Sequence, residues 1–162
     1  MATTFTPLAT TTVSSTVSSI TFSGISQSYT DLVAICTPIF DNSGNMFVYY
    51  NSVTSTSYAS HRIFITSSAT ASWTGSETGL QLGNFISGQP GMCIANFMNY
   101  RNTNIRRTSL SQYGSHDAST PRYGSVSARS ANTEAITSLT FFSSAGNFLA
   151  DTVITLYGIA QS

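Results

Sequence analysis

The chain has 162 residues, a formal net charge of zero and only 7% charged side chains, none of them lysine, where globular domains usually carry about 25%. Six cations, all arginine, and six acids are scattered along it; they build no basic patch of the kind that releases phosphate counterions, which argues against nucleic acid as a partner. With 41% apolar residues, a chain of this length buries a core without help from a metal or a disulfide and reads as one domain.

Residues 1–12, MATTFTPLATTT, read as an extended arm. Pro7 has no amide hydrogen, the threonines favour β space, and Phe5 and Leu8 are the only anchors. The domain proper then runs over residues 13–162. Val13, Val17, Ile20 and Phe22 mark a first strand, and residues 23–29 a loop. Residues 31–38, DLVAICTP, are almost continuously apolar, as in a central strand buried on both faces and stopped by Pro38. Asp41-Asn42-Ser43-Gly44 is a strong turn signal before a strand at residues 46–51, so residues 31–51 read as a hairpin. A strand follows at residues 61–66, then a long Ser/Thr/Ala loop at residues 67–78 that carries Trp73, then a short strand at residues 79–86. Gly88-Gln89-Pro90-Gly91 turns the chain. Residues 92–100 and 105–113 form a hairpin across Arg101-Asn102-Thr103-Asn104, and residues 122–130 a polar strand.

The last strand pair, residues 135–159, is expected to complete the fold. Val153, Thr155 and Tyr157 alternate with Ile154 and Leu156. Leu156 and Ile159 are expected in the core, Gly158 at a tight exit, and Tyr157 as a buried ring whose hydroxyl needs a partner. Eight to ten short strands without helical periodicity make an all-β sandwich or barrel.

Little in the sequence points to catalysis. His116-Asp117 is the one adjacent His/Asp pair, in a polar loop, and no G-x-S-x-G elbow accompanies it. Glu77 and Glu134 are not paired as a glycosidase requires. Asp41-Asn42-Ser43-Gly44-Asn45 could offer oxygens to Ca²⁺ but reads first as an Asx turn. Cys36 and Cys93 lie in apolar runs and read as buried free thiols; a disulfide between them stays open. No catalytic, cofactor or metal site is expected. No apolar run reaches the length of a membrane span, and the N-terminus carries no signal-peptide pattern. Arg106 and Arg107 are the densest charge, but neighbours on a strand point to opposite faces. One should pack its stem at a sheet edge and the other reach an acid on another subunit. Trp73, Tyr49, Tyr50 and Tyr58 could stack on a sugar, although such rings in sandwiches more often sit in the core or an interface. Phe5, Leu8, Trp73, Arg106 and Arg107 are the expected interface residues.

Three blocks resemble a group of small phage virion proteins of aquatic and cyanobacterial phages. Near the C-terminus, Ala135-Ile136-Thr137-Ser138-Leu139-Thr140-Phe141, Ala145-Gly146-Asn147-Phe148 and Thr155-Leu156-Tyr157-Gly158-Ile159 follow the group's A-I-[TS]-S-[LI]-T-[FL]…A-G-N-F…T-L-Y-G-I pattern. Residues 20–32 resemble its F-x-x-I-P-Q-x-Y-x-D-L opening, with Ser26 in place of Pro, and Tyr100-Arg101-Asn102-Thr103-Asn104 its central Y-x-N-T-N turn. Asp151 stands where a small Gly is common, and Tyr49-Tyr50-Asn51-Ser52-Val53-Thr54 stands in place of the usual F-N-G-D-T-G turn. The resemblance implies a jelly-roll-like β-sandwich in the virion and no catalytic residues. Together with small size and low charge, it leads to the expectation of a non-enzymatic capsid decoration (cement) protein on the particle surface. It would be a homotrimer bound to the major capsid protein, with no cofactor, nucleic acid or membrane. The alternative is a tail-fibre or baseplate module that recognises a host glycan.

Overall fold

The computed structural model describes residues 5–55, 57–65, 69–117 and 121–160, without the side chains of 69–71 and 73–75. Among them are twelve strands: β1 Phe5–Thr12, β2 Ser19–Phe22, β3 Asp31–Thr37, β4 Gly44–Tyr50, β5 Tyr58–Ile65, β6 Ala69–Glu77, β7 Leu80–Phe85, β8 Met92–Phe97, β9 Thr108–His116, β10 Pro121–Ser130, β11 Leu139–Ser143 and β12 Val153–Ile159. They form two antiparallel sheets packed as a β-sandwich. The large sheet has the order β1-β12-β3-β8-β9-β10-β5-β6, and the small one β2-β11-β4-β7.

The count exceeds eight to ten for two local reasons. Residues 5–12 are a strand, not a free arm: they pair along β12 from Phe5↔Ile159 to Thr12↔Val153, with a bulge at Pro7, where a strand edge tolerates a missing amide. The expected loop at 67–78 contains β6, paired with β5. Its threonines and serines suit an edge strand as well as a loop, and composition alone does not separate the two.

Two expected hairpins are instead arches that cross the sandwich. β3 belongs to the large sheet and β4 to the small one; β11 belongs to the small sheet and β12 to the large one. The crossings stack on each other. Phe40 and Phe148 meet at 4.9 Å between ring centroids, both fully buried. Asp41 N–H donates to the Asn147 carbonyl, Leu149 N–H to the Ile39 carbonyl, and Ile39 N–H to the Thr152 hydroxyl. Sealing one end of the core with two aromatic rings outweighs the local turn signal at residues 41–44, because a turn residue fixes a bend and not the sheet that the next strand joins.

The core lies between the layers. Leu32, Ala34 and Cys36 of β3, Phe97 of β8, Val126 of β10, and Ile154 and Leu156 of β12 face Met46, Val48 and Tyr50 of β4, Leu139 and Phe141 of β11, and Leu80 and Leu82 of β7. Of the final strand, Leu156 is in the core as expected and Ile159 is half-buried. Tyr157 is not a core ring. It is half-buried on the outer face of the large sheet, edge-on to Phe5. Gly158 is required by packing: a Cβ there would lie 2.5 Å from a Tyr29 ring carbon.

Candidate docking face

In a two-layer sandwich each strand buries one side, so apolar residues on the other side need a separate explanation. Three rows cross the outer face of the large sheet. Val33, Asn96, Leu110, Ser127 and His61 are in register, then Ile35, Ile94, Gln112, Ser125 and Ile63, and finally Met92, Gly114, Tyr123 and Ile65. Ile63 and Met92 are 62% and 60% exposed, and Ile35, Ile65, Ile94, Leu110 and Tyr123 are exposed as well. None of the three rows contains a formally charged side chain with His61 neutral. The outer face of the small sheet differs: its aromatics, Phe47, Tyr49 and Phe142, cover one another.

Five strands at a spacing of about 4.8 Å, over three rows, give a patch of roughly 300–400 Å². That is the size of the largest apolar patch on a typical soluble monomer, which is often a functional one, and here Asn96, Gln112, Ser125 and Ser127 interrupt it. A depression of about 470 Å³ lies in it, lined by Ile63 and Leu110 together with His61, Arg62, Ser72, Ser125 and Ser127. Phe5 extends the first row, because it packs on Tyr157, the register partner of Val33.

The continuous apolar run at residues 31–38 finds its explanation here. Leu32, Ala34 and Cys36 face the core, whereas the alternate residues face outward; Val33 is covered by its neighbours and Ile35 is 39% exposed. The strand is central but not buried on both faces. β5 carries the same signal: Arg62 and Phe64 point inward, where the guanidinium lies over the Phe64 ring, while Ile63 and Ile65 point out. A strand with apolar residues in both alternate sets is the sequence pattern that accompanies such a face, and it leaves open which set turns outward.

The expected interface residues separate. Phe5 lies on this face. Leu8 lies elsewhere, in a groove of about 400 Å³ between β1 and β2, with Phe22, Ile25 and Leu156. The Trp73 side chain is outside the described residues. Arg106 is exposed, but Arg107 is 1% exposed and is no surface residue. Its guanidinium donates to the carbonyls of Asn99 at 2.7 Å, Ile105 at 2.7 Å and Thr133 at 3.1 Å. It ties the loop before β9 to the loop after β10, and desolvation lowers its pKa.

Tyr50, Tyr58, Glu77 and Asp41, all weighed for chemistry, are held by hydrogen bonds within the fold. Tyr50 and Tyr58 are buried against each other, their hydroxyls donating to Ser130 Oγ at 2.6 Å and to the Val53 carbonyl at 2.9 Å, so neither can stack on a sugar. His116 ends β9, and residues 118–120 beside the pair lie outside the described residues. The Glu77 carboxylate accepts the Ser60 hydroxyl, and burial raises its pKa; Glu134 is exposed in the loop before β11. Asp41 accepts the Asn147 N–H at 2.7 Å and the Asn147 side-chain amide at 2.9 Å, and those bonds lower its pKa. A carboxylate ringed by N–H donors is an Asx clamp, the opposite of a cation site. Among the described residues no cluster of His, Cys, Asp and Glu could hold a metal, and no helix is long and apolar enough to cross a membrane. No protein-family model matches the chain, and no curated protein matches it significantly.

Proposed function

We propose that the protein is a non-enzymatic structural component of a bacteriophage particle, a decoration protein on the outside of the shell. It works by burying the uncharged outer face of the large sheet against a capsid subunit. The observation that supports this reading is that face: Ile35, Ile63, Ile94, Leu110 and Met92 stand on rigid strands without a covering layer. Rigid apolar ridges between serines lose little conformational entropy on docking. The absence of net charge leaves association unopposed. The resemblance of the three sequence blocks to phage virion proteins names the setting. The mechanism is bridging: each copy adds buried area across joins between capsid subunits.

Ile63→Glu tests it. The position is exposed on a strand, so the fold should persist, with a melting temperature within a few degrees of the wild type. Docking should fail, because a carboxylate at the centre of an apolar contact must be desolvated without a partner. Binding of the variant to particles lacking the protein should drop at least tenfold, and those particles should release DNA at a lower temperature. Unchanged binding by Ile63→Glu would overturn the assignment of the face, and unchanged thermal DNA release from particles lacking the protein would overturn the cementing role. The depression lined by His61, Ser125 and Ser127 over an apolar floor favours a second reading, a tail module that takes a sugar ring there. A count of about a dozen copies per particle, and glycan binding lost in Ser125→Trp, would favour it.

A further inference from the structure

Cys36 and Cys93 face each other in register on the antiparallel neighbours β3 and β8, and both are fully buried under the small sheet. Opposed residues of an antiparallel pair have Cα atoms about 4.5–5.5 Å apart, within the roughly 4.4–6.8 Å over which a disulfide closes. The neighbouring Cys93 thiol, and then burial, raise the Cys36 pKa. Cys93 Sγ in turn donates to the Leu82 carbonyl at 3.7 Å. The Ser111 hydroxyl donates to the same carbonyl at 2.7 Å, so Leu82 keeps a partner if Cys93 loses its hydrogen. Oxidation of this pair therefore strands no neighbouring polar group.

We propose that Cys36 and Cys93 are one oxidative modification site, which closes to a cross-strand disulfide when the chain meets hydrogen peroxide. The balance is simple. One thiolate attacks the O–O bond, becomes a sulfenic acid and releases hydroxide, which takes up the proton. The second thiol displaces the sulfenic hydroxyl as water and forms the S–S bond. Two thiols and one peroxide give one disulfide and two waters. Burial keeps the thiolate scarce, so closure is slow in the folded chain and fast during refolding. The link staples the middle of the large sheet and closes a long loop, so it raises the melting temperature by roughly 5–15 °C. The site is independent of where the protein works.

The test is to refold the full chain with hydrogen peroxide or with a reductant, then unfold, alkylate and digest it. The expected result is a mass lower by two hydrogens, no alkylated cysteine, and one linked peptide pair containing Cys36 and Cys93. The gain in melting temperature should vanish on reduction and be absent in Cys36→Ser and Cys93→Ser. The proposal fails if both thiols are alkylated after peroxide treatment. It also fails if each sulfur is carried separately to a sulfinic or sulfonic acid, or if the link joins two copies.

Discussion

Replacing Arg107 by methionine asks whether a buried cation holds one end of the sandwich together. Methionine keeps much of the stem and removes the donors. The carbonyls of Asn99, Ile105 and Thr133 then each lose a donor; that of Asn99 keeps the Asn102 N–H at 3.0 Å, so those of Ile105 and Thr133 are the two left unpaired. A buried polar group left unpaired costs about 1–3 kcal/mol, so the gross loss for two is roughly 2–6 kcal/mol. Two effects reduce it. The guanidinium is no longer desolvated, a burden of several kcal/mol for a buried ion, and Asn99, Ile105 and Thr133 lie in exposed loops that water can reach. The net expectation is a loss of about 3 kcal/mol. At about 2–4 °C per kcal/mol for a chain of this size, the melting temperature falls by roughly 6–12 °C in a circular-dichroism melt. Arg106→Met, one residue away and exposed, should change stability by no more than about 0.5 kcal/mol. Equal shifts in the two variants would refute the reasoning, since they would mean that Arg107 is held no differently from a surface arginine.

Other consequences follow from packing and charge. Gly158→Ala drives a methyl group into the Tyr29 ring and should cost about 1–3 kcal/mol; Tyr29→Ala should make the second substitution nearly harmless, and simple additivity in that double-mutant cycle would count against the contact. Burial outweighs the opposing Ser60 bond and Arg62 charge and raises the Glu77 pKa in the fold. A folded value above the unfolded one means that its favourable contribution is complete below the ordinary carboxyl range, near pH 4, and is lost as pH rises through the folded value. Glu77→Gln should therefore flatten the loss of stability on the alkaline side of pH 4, seen by urea titration at several pH values; an unchanged slope would show that another group is responsible.

Much of the fold was legible because strand signals are local. Alternation placed β12 with Ile154 and Leu156 on one side and Val153, Thr155 and Tyr157 on the other, and the structure has that register. The hairpin of β8 and β9 was also legible from the turn residues between them. The docking face was not. Ile63, Ile94 and Leu110 look like core residues in a linear sequence, and only the position of the small sheet shows which half of each alternation it covers. Arg106 and Arg107 are alike in composition and opposite in environment, because burial of Arg107 depends on its own loop folding round it at Asn99 and Ile105 and on the Thr133 carbonyl from a loop 26 residues away.

By itself, the sequence determined that the chain is all-β, where most strands run, that Cys36 and Cys93 lie in apolar runs, and that the chain carries almost no charge. Those properties depend on side-chain alternation, turn residues and composition, which act over a few residues. The tertiary structure decided which sheet each strand joins, turning two expected hairpins into crossings sealed by Phe40 and Phe148. It also decided which apolar set faces outward and that the two cysteines are neighbours, as free thiols. Those outcomes depend on contacts between residues tens of positions apart, where burying two rings at one end of a core counts for more than any local turn preference.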